Sequence, residues 1–253
     1  MNKSLWPTSL ILLAVVFTLH LFVISAGAFS IPERLEFEIS YLGIPAGHAV
    51  QQVTRESGEI RIVSTARSAD WLKLFFPVDD RIESVLVQAP SLKIGVPRLY
   101  RERIREGWTR FHKDAVFNRQ TMEVTTTDHL KKNVSVQKFS PLTYDTLSSF
   151  FYFRSVELKV GTSSFIDIFD CKRIWNTEVQ ILRREELKTS LGSFKTVVVK
   201  PILKSAGIFA RTGEMHIWLT DDERRIPLMM KSKVKIGSIK ATLVGGSYWP
   251  KKQ

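Results

Sequence analysis

Residues 34–53 read RLEFEISYLGIPAGHAVQQV, and this stretch decides the fold. From Leu35 to Tyr41, apolar and polar side chains alternate, which is the period of a β-strand with one buried face. Gly43 and Gly47 bracket a turn, and an apolar strand pattern returns after it. The stretch therefore predicts an N-terminal β-hairpin.

The same alternation runs through the rest of the chain. Further strands are predicted at residues 59–65, 81–88, 98–106, 109–118, 121–127, 164–169, 178–187, 194–203, 213–220, 227–236 and 238–247. Several of them are long, and long neighbouring antiparallel strands twist and coil. The predicted fold class is mainly β, with long antiparallel strands in a curved sheet that forms a sandwich or a partly closed barrel.

One segment breaks the strand pattern with a helical sequence. Residues 144–154 read YDTLSSFFYFR, and their aromatic side chains surround most of a helix, so the helix must be largely buried. Asp145 or Thr143 can accept hydrogen bonds from the free N–H groups of the first turn. We therefore predict one short buried helix in the middle of the β-rich chain.

The first thirty residues have the features of an export signal. Lys3 precedes an apolar stretch, and Ala26-Gly27-Ala28 has the small residues that a signal peptidase reads. We predict a signal peptide at residues 1–28, followed by one β-rich domain at residues 29–253 in the periplasm. The alternative is an uncleaved segment that anchors the chain in the inner membrane, because the stretch is about long enough to span a bilayer.

The charge balance constrains the class of partner. The 253 residues include 37 Lys and Arg against 25 Asp and Glu, a formal charge of +12, and 44% are hydrophobic. These values exclude a disordered chain and predict an anionic partner, either anionic lipid or an envelope polymer, with an envelope protein as the alternative. No nucleic-acid partner is expected, because the chain has an export signal and no nucleic-acid-binding motif. The single cysteine, Cys171, has no disulfide partner within the chain and is interpreted as an ordinary strand residue.

Two rows of basic side chains lie on predicted strands. In residues 98–106 the alternation places three arginines on one face, and a second row consists of three lysines. The rows are Arg101, Arg103, Arg105 and Lys231, Lys233, Lys235. Each row is either a solvated face paired with carboxylates or a surface that binds anions.

An apolar loop is the third candidate for ligand contact. Trp71, Phe75 and Phe76 lie together in a short segment that ends at Pro77. The loop either touches a membrane or covers a site, or it folds down over the core.

The sequence contains no motif for catalysis. It has no nucleophile elbow, no phosphate-binding glycine loop and no paired-histidine zinc signature, so no catalytic residue, metal or cofactor is predicted. Asp221 and Asp222 are adjacent, and in an extended chain their carboxylates point apart, so we interpret them as turn residues.

Several of these segments carry a family resemblance. The chain resembles the DUF3108 family of exported bacterial proteins, most specifically in the run from Ile217 to Pro227. The matching positions that we interpret as structural are Asp145, Ser148, Tyr152, Arg154, Gly192, Phe194, Pro201, Trp218, Thr220, Asp221, Asp222, Arg225 and Pro227. The resemblance implies an antiparallel β-rich fold and a location in the cell envelope, and it supplies no catalytic residues to transfer.

Three hypotheses for function follow. The first is a non-catalytic periplasmic protein that binds or carries an amphiphilic anionic ligand, such as a lipid or a lipopolysaccharide-like molecule. The second is an assembly or scaffold module with an envelope protein as its partner. The third is a hydrolase of envelope glycan or lipid, which requires His129 or His216 to meet a carboxylate in a cleft.

Overall fold

Fifteen strands and two helices make up the described part of the chain, residues 30–90, 92–202, 214–234 and 237–249 of a computed structural model. The strands are β1 (Glu33–Tyr41), β2 (Ile44–Glu56), β3 (Glu59–Ser68), β4 (Asp79–Val87), β5 (Val96–Glu106), β6 (Thr109–Asn118), β7 (Glu123–Asp128), β8 (Asn133–Lys138), β9 (Thr143–Asp145), β10 (Ser163–Phe169), β11 (Ile174–Thr189), β12 (Gly192–Pro201), β13 (Met215–Thr220), β14 (Pro227–Lys233) and β15 (Ser238–Gly246). The helices are α1 (Asp70–Lys73) and α2 (Thr146–Arg154).

All fifteen strands belong to one sheet. Its order is β8-β7-β6-β5-β4-β3-β2-β1-β15-β14-β13-β12-β11-β10-β9, so most neighbours in space are also neighbours in sequence. Every pairing is antiparallel except that of β9 with β10. The predicted mainly β class with long antiparallel strands is confirmed. The sheet does not close into a complete barrel.

The sheet curves around α2. The main core cluster joins inner-face side chains of β3, β5, β6 and β7 to those of β10, β11, β12 and β13, with α2 between them. Strand β9, at one edge of the sheet, contacts β5, and the Tyr144 hydroxyl donates to the Gly95 carbonyl at 3.1 Å. The two halves of the sheet therefore enclose the main core, which the helix fills. A second, smaller cluster consists of Leu35, Phe37, Ile226, Leu228 and Leu243.

The sequence of α2 explains both its start and its burial. Asp145 is the N-cap, and its carboxylate accepts from the backbone N–H groups of Leu147 and Ser148, while Ser148 Oγ accepts from the Asp145 N–H. This reciprocal arrangement is a capping box. Phe151 and Phe153 are buried in the core, as the ring of aromatic side chains predicts.

Two strands were missed by the sequence analysis. Strand β8 is an edge strand whose Val134 and Val136 remain exposed, so no buried face marks it in the sequence. Strand β9 is three residues long and merges with the helix cap. Both segments are strands because they pair with their neighbours, β8 with β7 and β9 with β10, and not because of a local pattern in their sequences.

Some predictions lie outside the described residues. These are the signal peptide at residues 1–28, Lys235, and the strand ends predicted at residues 203, 213 and 236. Within the residues that the structure describes, neither helix has the length and apolar character needed to cross a bilayer.

Candidate functional site

The predicted arginine row lies on the outer face of the sheet. Arg101, Arg103 and Arg105 point away from the core, whereas Tyr100 on the other face of β5 is buried in it. On the neighbouring strand β4, Arg81 lies directly opposite Arg103. Arg81 therefore extends the basic surface from β5 onto β4, a neighbour that the sequence did not reveal.

A surface depression forms between these strands. Its volume is about 210 Å³, and it is lined by Arg61, Arg81, Glu83, Arg101 and Arg103. We call these four arginines the arginine face. Four guanidinium groups surround one carboxylate, so the depression has a strong positive charge.

The carboxylates near the depression pair with two of the four arginines. Glu83 lies 2.9 Å from Arg61 Nε and 4.0 Å from Arg101 Nη1, and Asp114 Oδ2 lies 3.6 Å from Arg101 Nε. The Glu83 carboxylate beside the Arg61 guanidinium raises the pKa of Arg61. Arg61 and Arg101 are therefore held in place by carboxylates.

Arg81 and Arg103 have no such partner. Within the described ranges, no carboxylate lies within ion-pair distance of either guanidinium, and Arg103 Nε donates to His112 Nε2 at 3.2 Å. Like charges directly opposite each other on antiparallel strands are destabilising. This cross-strand pair is thus a place where an anion would relieve repulsion.

A histidine pair borders the arginine face. The rings of His112 and His129 lie 4.4 Å apart, and His129 Nε2 is 3.4 Å from Asp114 Oδ2. The donor atoms of these three side chains lie within 4.8 Å of one another. However, Arg103 occupies the lone pair of His112, and Arg101 neighbours Asp114, so two cations compete with a metal ion here. The juxtaposition that the hydrolase hypothesis requires is present, but on the open outer face rather than in a cleft.

The predicted lysine row lies in a different part of the sheet. Lys231 and Lys233 are exposed on β14 and line a depression of about 460 Å³, with His216 and Arg183 on its other sides. Burial, and then the charges of Lys200 and Arg183, lower the pKa of His216. Five strands separate β14 from β5, which is about 29 Å along the sheet, so the two rows do not form one surface.

The predicted aromatic loop is mostly exposed. Trp71 and Phe75 are open to solvent, and the indole N–H of Trp71 donates to the Pro45 carbonyl at 2.9 Å. Phe76 is half-buried against the Gly107 turn. The loop thus does not fold down over the core.

The family-signature positions near α2 join the helix to the sheet. Asp145 and Ser148 form the cap, and Tyr152 stacks on Tyr144 with ring centroids 4.5 Å apart. Arg154 is fully buried and forms a bidentate ion pair with Glu33 of β1, at 2.7 and 2.8 Å. Their contacts are all internal to the fold.

The remaining signature positions lie in turns and on strands β12 to β14. Gly192 has a left-handed φ of +132° in the β11–β12 turn, Phe194 packs edge-on against Trp249, and Pro201 ends β12. Trp218 is buried on β13 together with both of its neighbours, so this strand is covered on both faces, as its sequence predicts.

The run after Trp218 builds one tight turn. Thr220 Oγ1 donates to Asp222 Oδ1 at 2.6 Å, and this same carboxylate oxygen accepts from the N–H groups of Arg224 and Arg225. Asp221 pairs with Arg184 and Arg225, and Pro227 begins β14. This hydrogen bonding is that of a turn.

Cys171 lies in a buried turn rather than on a strand. Its φ is +60°, and the thiol is free. Burial raises the pKa of the thiol well above its usual range. The thiolate needed for reactivity is therefore disfavoured.

A carboxylate pair on the inner face escaped the sequence analysis. Asp80 and Glu106 lie side by side and share a hydrogen bond, and Asp80 Oδ1 also accepts from the Arg105 N–H at 2.8 Å. Burial, followed by the charge of Asp80, raises the pKa of Glu106 to about 7. The two residues are 26 positions apart, and the strand register brings them together.

This pair predicts a pH dependence of stability. The pKa of Glu106 is raised above its unfolded value of about 4.3, so the folded chain binds the proton more tightly. The resulting stability is complete below the unfolded pKa and is lost as the pH rises through about 7. We expect Glu106→Gln to flatten the decline in melting temperature between about pH 5 and pH 7.5, measured by circular dichroism. Glu38→Gln, at an exposed carboxylate on β1, is the control, and equal slopes in the wild type and Glu106→Gln would contradict the prediction.

Comparison with known proteins agrees with this architecture. A family model described as "Protein of unknown function (DUF3108)" matches residues 36–244. The crystal structure of a beta-barrel-like protein of a domain of unknown function, DUF1849, from Brucella abortus is similar in fold, with a TM-score of 0.54 at 12% identity over 87% of this chain and 98% of that chain. No curated protein matches the chain significantly. Because the model covers most of the sequence, from β1 to β15, the chain belongs to the DUF3108 family.

Proposed function

We propose that this chain is a non-catalytic protein of the cell envelope that binds the anionic head group of an amphiphile, a lipid or a lipopolysaccharide-like molecule, on the arginine face. The observation that carries the proposal is the Arg81–Arg103 cross-strand pair, two cations opposite each other without a carboxylate partner in the described part of the chain. The envelope location rests on the signal-like N-terminus.

The chemistry of the pair suits a phosphate or a carboxylate. A planar guanidinium donates two parallel hydrogen bonds to such a group, and arginine is the usual residue for this recognition. Arg61 and Arg101 are held at the sides of the depression by Glu83 and Asp114, so part of the site is ordered before a ligand arrives. Ordering in advance lowers the entropic cost of binding.

The interior supports binding at the surface rather than transport of an enclosed chain. Buried side chains of α2 occupy the space inside the curved sheet, among them Leu147, Phe151 and Phe153. The proposal therefore places the head group on the outer face, without insertion of an acyl chain into the core.

Removing the opposed charges tests the proposal. The variant Arg81→Gln with Arg103→Gln is expected to weaken binding of dihexanoyl phosphatidic acid, kept below its micelle concentration, by about 150-fold or more, because two lost charge-assisted hydrogen bonds at about 1.5–3 kcal/mol each are together worth at least about 3 kcal/mol. Isothermal titration calorimetry measures the affinity, and dihexanoyl phosphatidylcholine tests whether net anionic charge is required.

The matched control is Lys138→Gln with Lys188→Gln, which removes the same charge at exposed positions on β8 and β11. Unchanged binding by the arginine variant would refute the assigned site. Equal weakening by both variants would show that only net charge matters. Inorganic phosphate as a competitor separates a site for free phosphate from one that requires the lipid.

The edge strand β8 favours a second candidate, an assembly module. Among the described residues β8 pairs only with β7, and Val134 and Val136 are exposed on it. An exposed sheet edge can accept a strand from a partner chain. Photo-crosslinking from position 134 to one envelope protein would support this candidate.

A further inference from the structure

Exposed apolar side chains concentrate at one end of the sheet. In this up-and-down arrangement, the β1–β2, β3–β4 and β5–β6 connections all lie at the same end. Phe75 is 79%, Leu74 85% and Trp108 99% exposed. The exposed apolar side chains on or beside these three connections, which we call the apolar tip, are Leu42, Ile44, Trp71, Leu74, Phe75 and Trp108.

The three connections form one surface. The Trp71 indole N–H donates to Pro45 beside Ile44, which ties the β3–β4 loop to the β1–β2 turn. The Gly107 N–H donates to the Pro77 carbonyl at 2.9 Å, which ties the same loop to the β5–β6 turn. A Cβ at Gly107 would lie 2.5 Å from the Phe76 ring, so only glycine permits this close packing. The exposed side chains are thus presented together rather than on independent loops.

The opposite end of the sheet lacks this character. Its turns, as far as the structure describes them, expose only two large apolar side chains, Leu142 and Val160, and no aromatic one. Scattered exposed apolar residues need no explanation, but a cluster confined to one end indicates an interaction surface.

The charges beside the apolar tip identify its partner. Arg105 lies directly opposite Arg110 on the β5–β6 hairpin, whose turn carries Trp108. Neither arginine has a carboxylate partner within the described ranges. Lys131 and Lys132 are exposed in the β7–β8 turn at the same end. Arg105 is three residues from Trp108, so their Cα atoms are at most about 11 Å apart, which is comparable with the Debye length of about 8 Å at physiological salt. Tryptophan beside arginine and lysine is typical of proteins at the interface of an anionic bilayer.

We propose that the apolar tip inserts into the interfacial layer of an anionic phospholipid bilayer, with Arg105 and Arg110 at the level of the head groups. The apolar tip shares no residue with the arginine face, so this inference goes beyond the proposed function and can fail independently of it. Aromatic side chains at this depth contribute apolar burial, and the basic residues contribute attraction to the lipid charge.

Vesicle binding tests the inference. We expect the variant Phe75→Ser with Trp108→Ser to reduce partitioning onto vesicles of phosphatidylglycerol and phosphatidylcholine, measured by flotation, by about 30-fold. The control is Val136→Ser with Phe165→Ser, which removes exposed apolar side chains away from the tip and is expected to bind like the wild type. Loss of binding in the control to the same extent would overturn the proposal.

A second measurement locates the insertion. Brominated phospholipids quench tryptophan that enters the bilayer, and we expect Trp108→Phe to bind vesicles while removing much of the quenching. Quenching that is unchanged by this variant would overturn the proposal. It would also be overturned if the wild-type chain did not bind vesicles and instead formed a dimer, seen by analytical ultracentrifugation, that the tip variant abolished. The tip variant should retain its affinity for dihexanoyl phosphatidic acid, and Arg81→Gln with Arg103→Gln should retain the quenching. Failure of the tip proposal can therefore be told apart from failure of the proposed head-group site.

Discussion

Replacing Arg154 with methionine is expected to lower the free energy of unfolding by about 3–5 kcal/mol. The Arg154 guanidinium makes two hydrogen bonds to the Glu33 carboxylate and a third to the Arg224 carbonyl at 3.0 Å. Both charged groups are inaccessible to solvent. Among the side chains of the described residues, the substitution leaves the buried Glu33 carboxylate with the Tyr248 hydroxyl, which donates to it at 2.8 Å, as its remaining partner. The free-energy cost of burying a carboxylate without its cation is far larger than the gain from burying an apolar methionine side chain.

Removing both charges separates the cost of an orphaned charge from the value of the pair. We expect Glu33→Met with Arg154→Met to recover much of the lost stability, because a buried ion pair replaced by apolar side chains is often close to neutral. Guanidinium denaturation followed by circular dichroism gives the three free energies. A loss below about 1 kcal/mol for Arg154→Met alone would mean that the pair is open to water.

The second large effect is expected at Asp145. Its Oδ1 accepts from the N–H groups of Leu147 and Ser148 at 2.9 and 2.8 Å, and its Oδ2 accepts from the hydroxyls of Ser84 and Ser148 at 2.6 and 2.8 Å. Asp145→Ala removes the helix cap and also a link from α2 to β4. A cap is worth about 1 kcal/mol and each buried donor left unsatisfied costs about 1–3 kcal/mol, so we expect a total loss of about 3 kcal/mol.

Two milder variants test this interpretation by the same denaturation measurement. Asp145→Asn keeps an oxygen that can accept from the helix N–H groups, so it should lose less than Asp145→Ala. Ser84→Ala removes only the link to β4 and should cost about 1 kcal/mol. If Asp145→Ala and Ser84→Ala were equally destabilising, the cap would contribute nothing and the interpretation would be wrong.

These two side chains explain what the family-signature positions around α2 do. Asp145 fixes the first turn of the helix to β4, and Arg154 fixes its last turn to β1. The candidate binding surfaces use other residues, on the outer face and at the apolar tip. Loss of stability and loss of binding should therefore be separable by mutation.

The sequence by itself determined the fold class, most strand positions and the helix. Alternation from Leu35 to Tyr41 and the aromatic run before Arg154 are local signals, because a strand repeats every two residues and a helix about every 3.6. The Asp145 cap was predictable for the same reason, since it acts on residues two and three positions away. The face of each basic row was also predictable from the alternation.

Only the tertiary structure decided which strands lie side by side. Register places Arg81 opposite Arg103 and Asp80 beside Glu106, and the packing of α2 in the sheet places Arg154 against Glu33, pairs separated by 22 to 121 residues. No local pattern encodes such a pairing, because it depends on how the whole sheet curves around α2. The order of the strands separates the two basic rows by five strands and brings three distant turns to the same end of the sheet, where they form the apolar tip. Local periodicity specifies which way a side chain points, and long-range strand pairing specifies what it meets there.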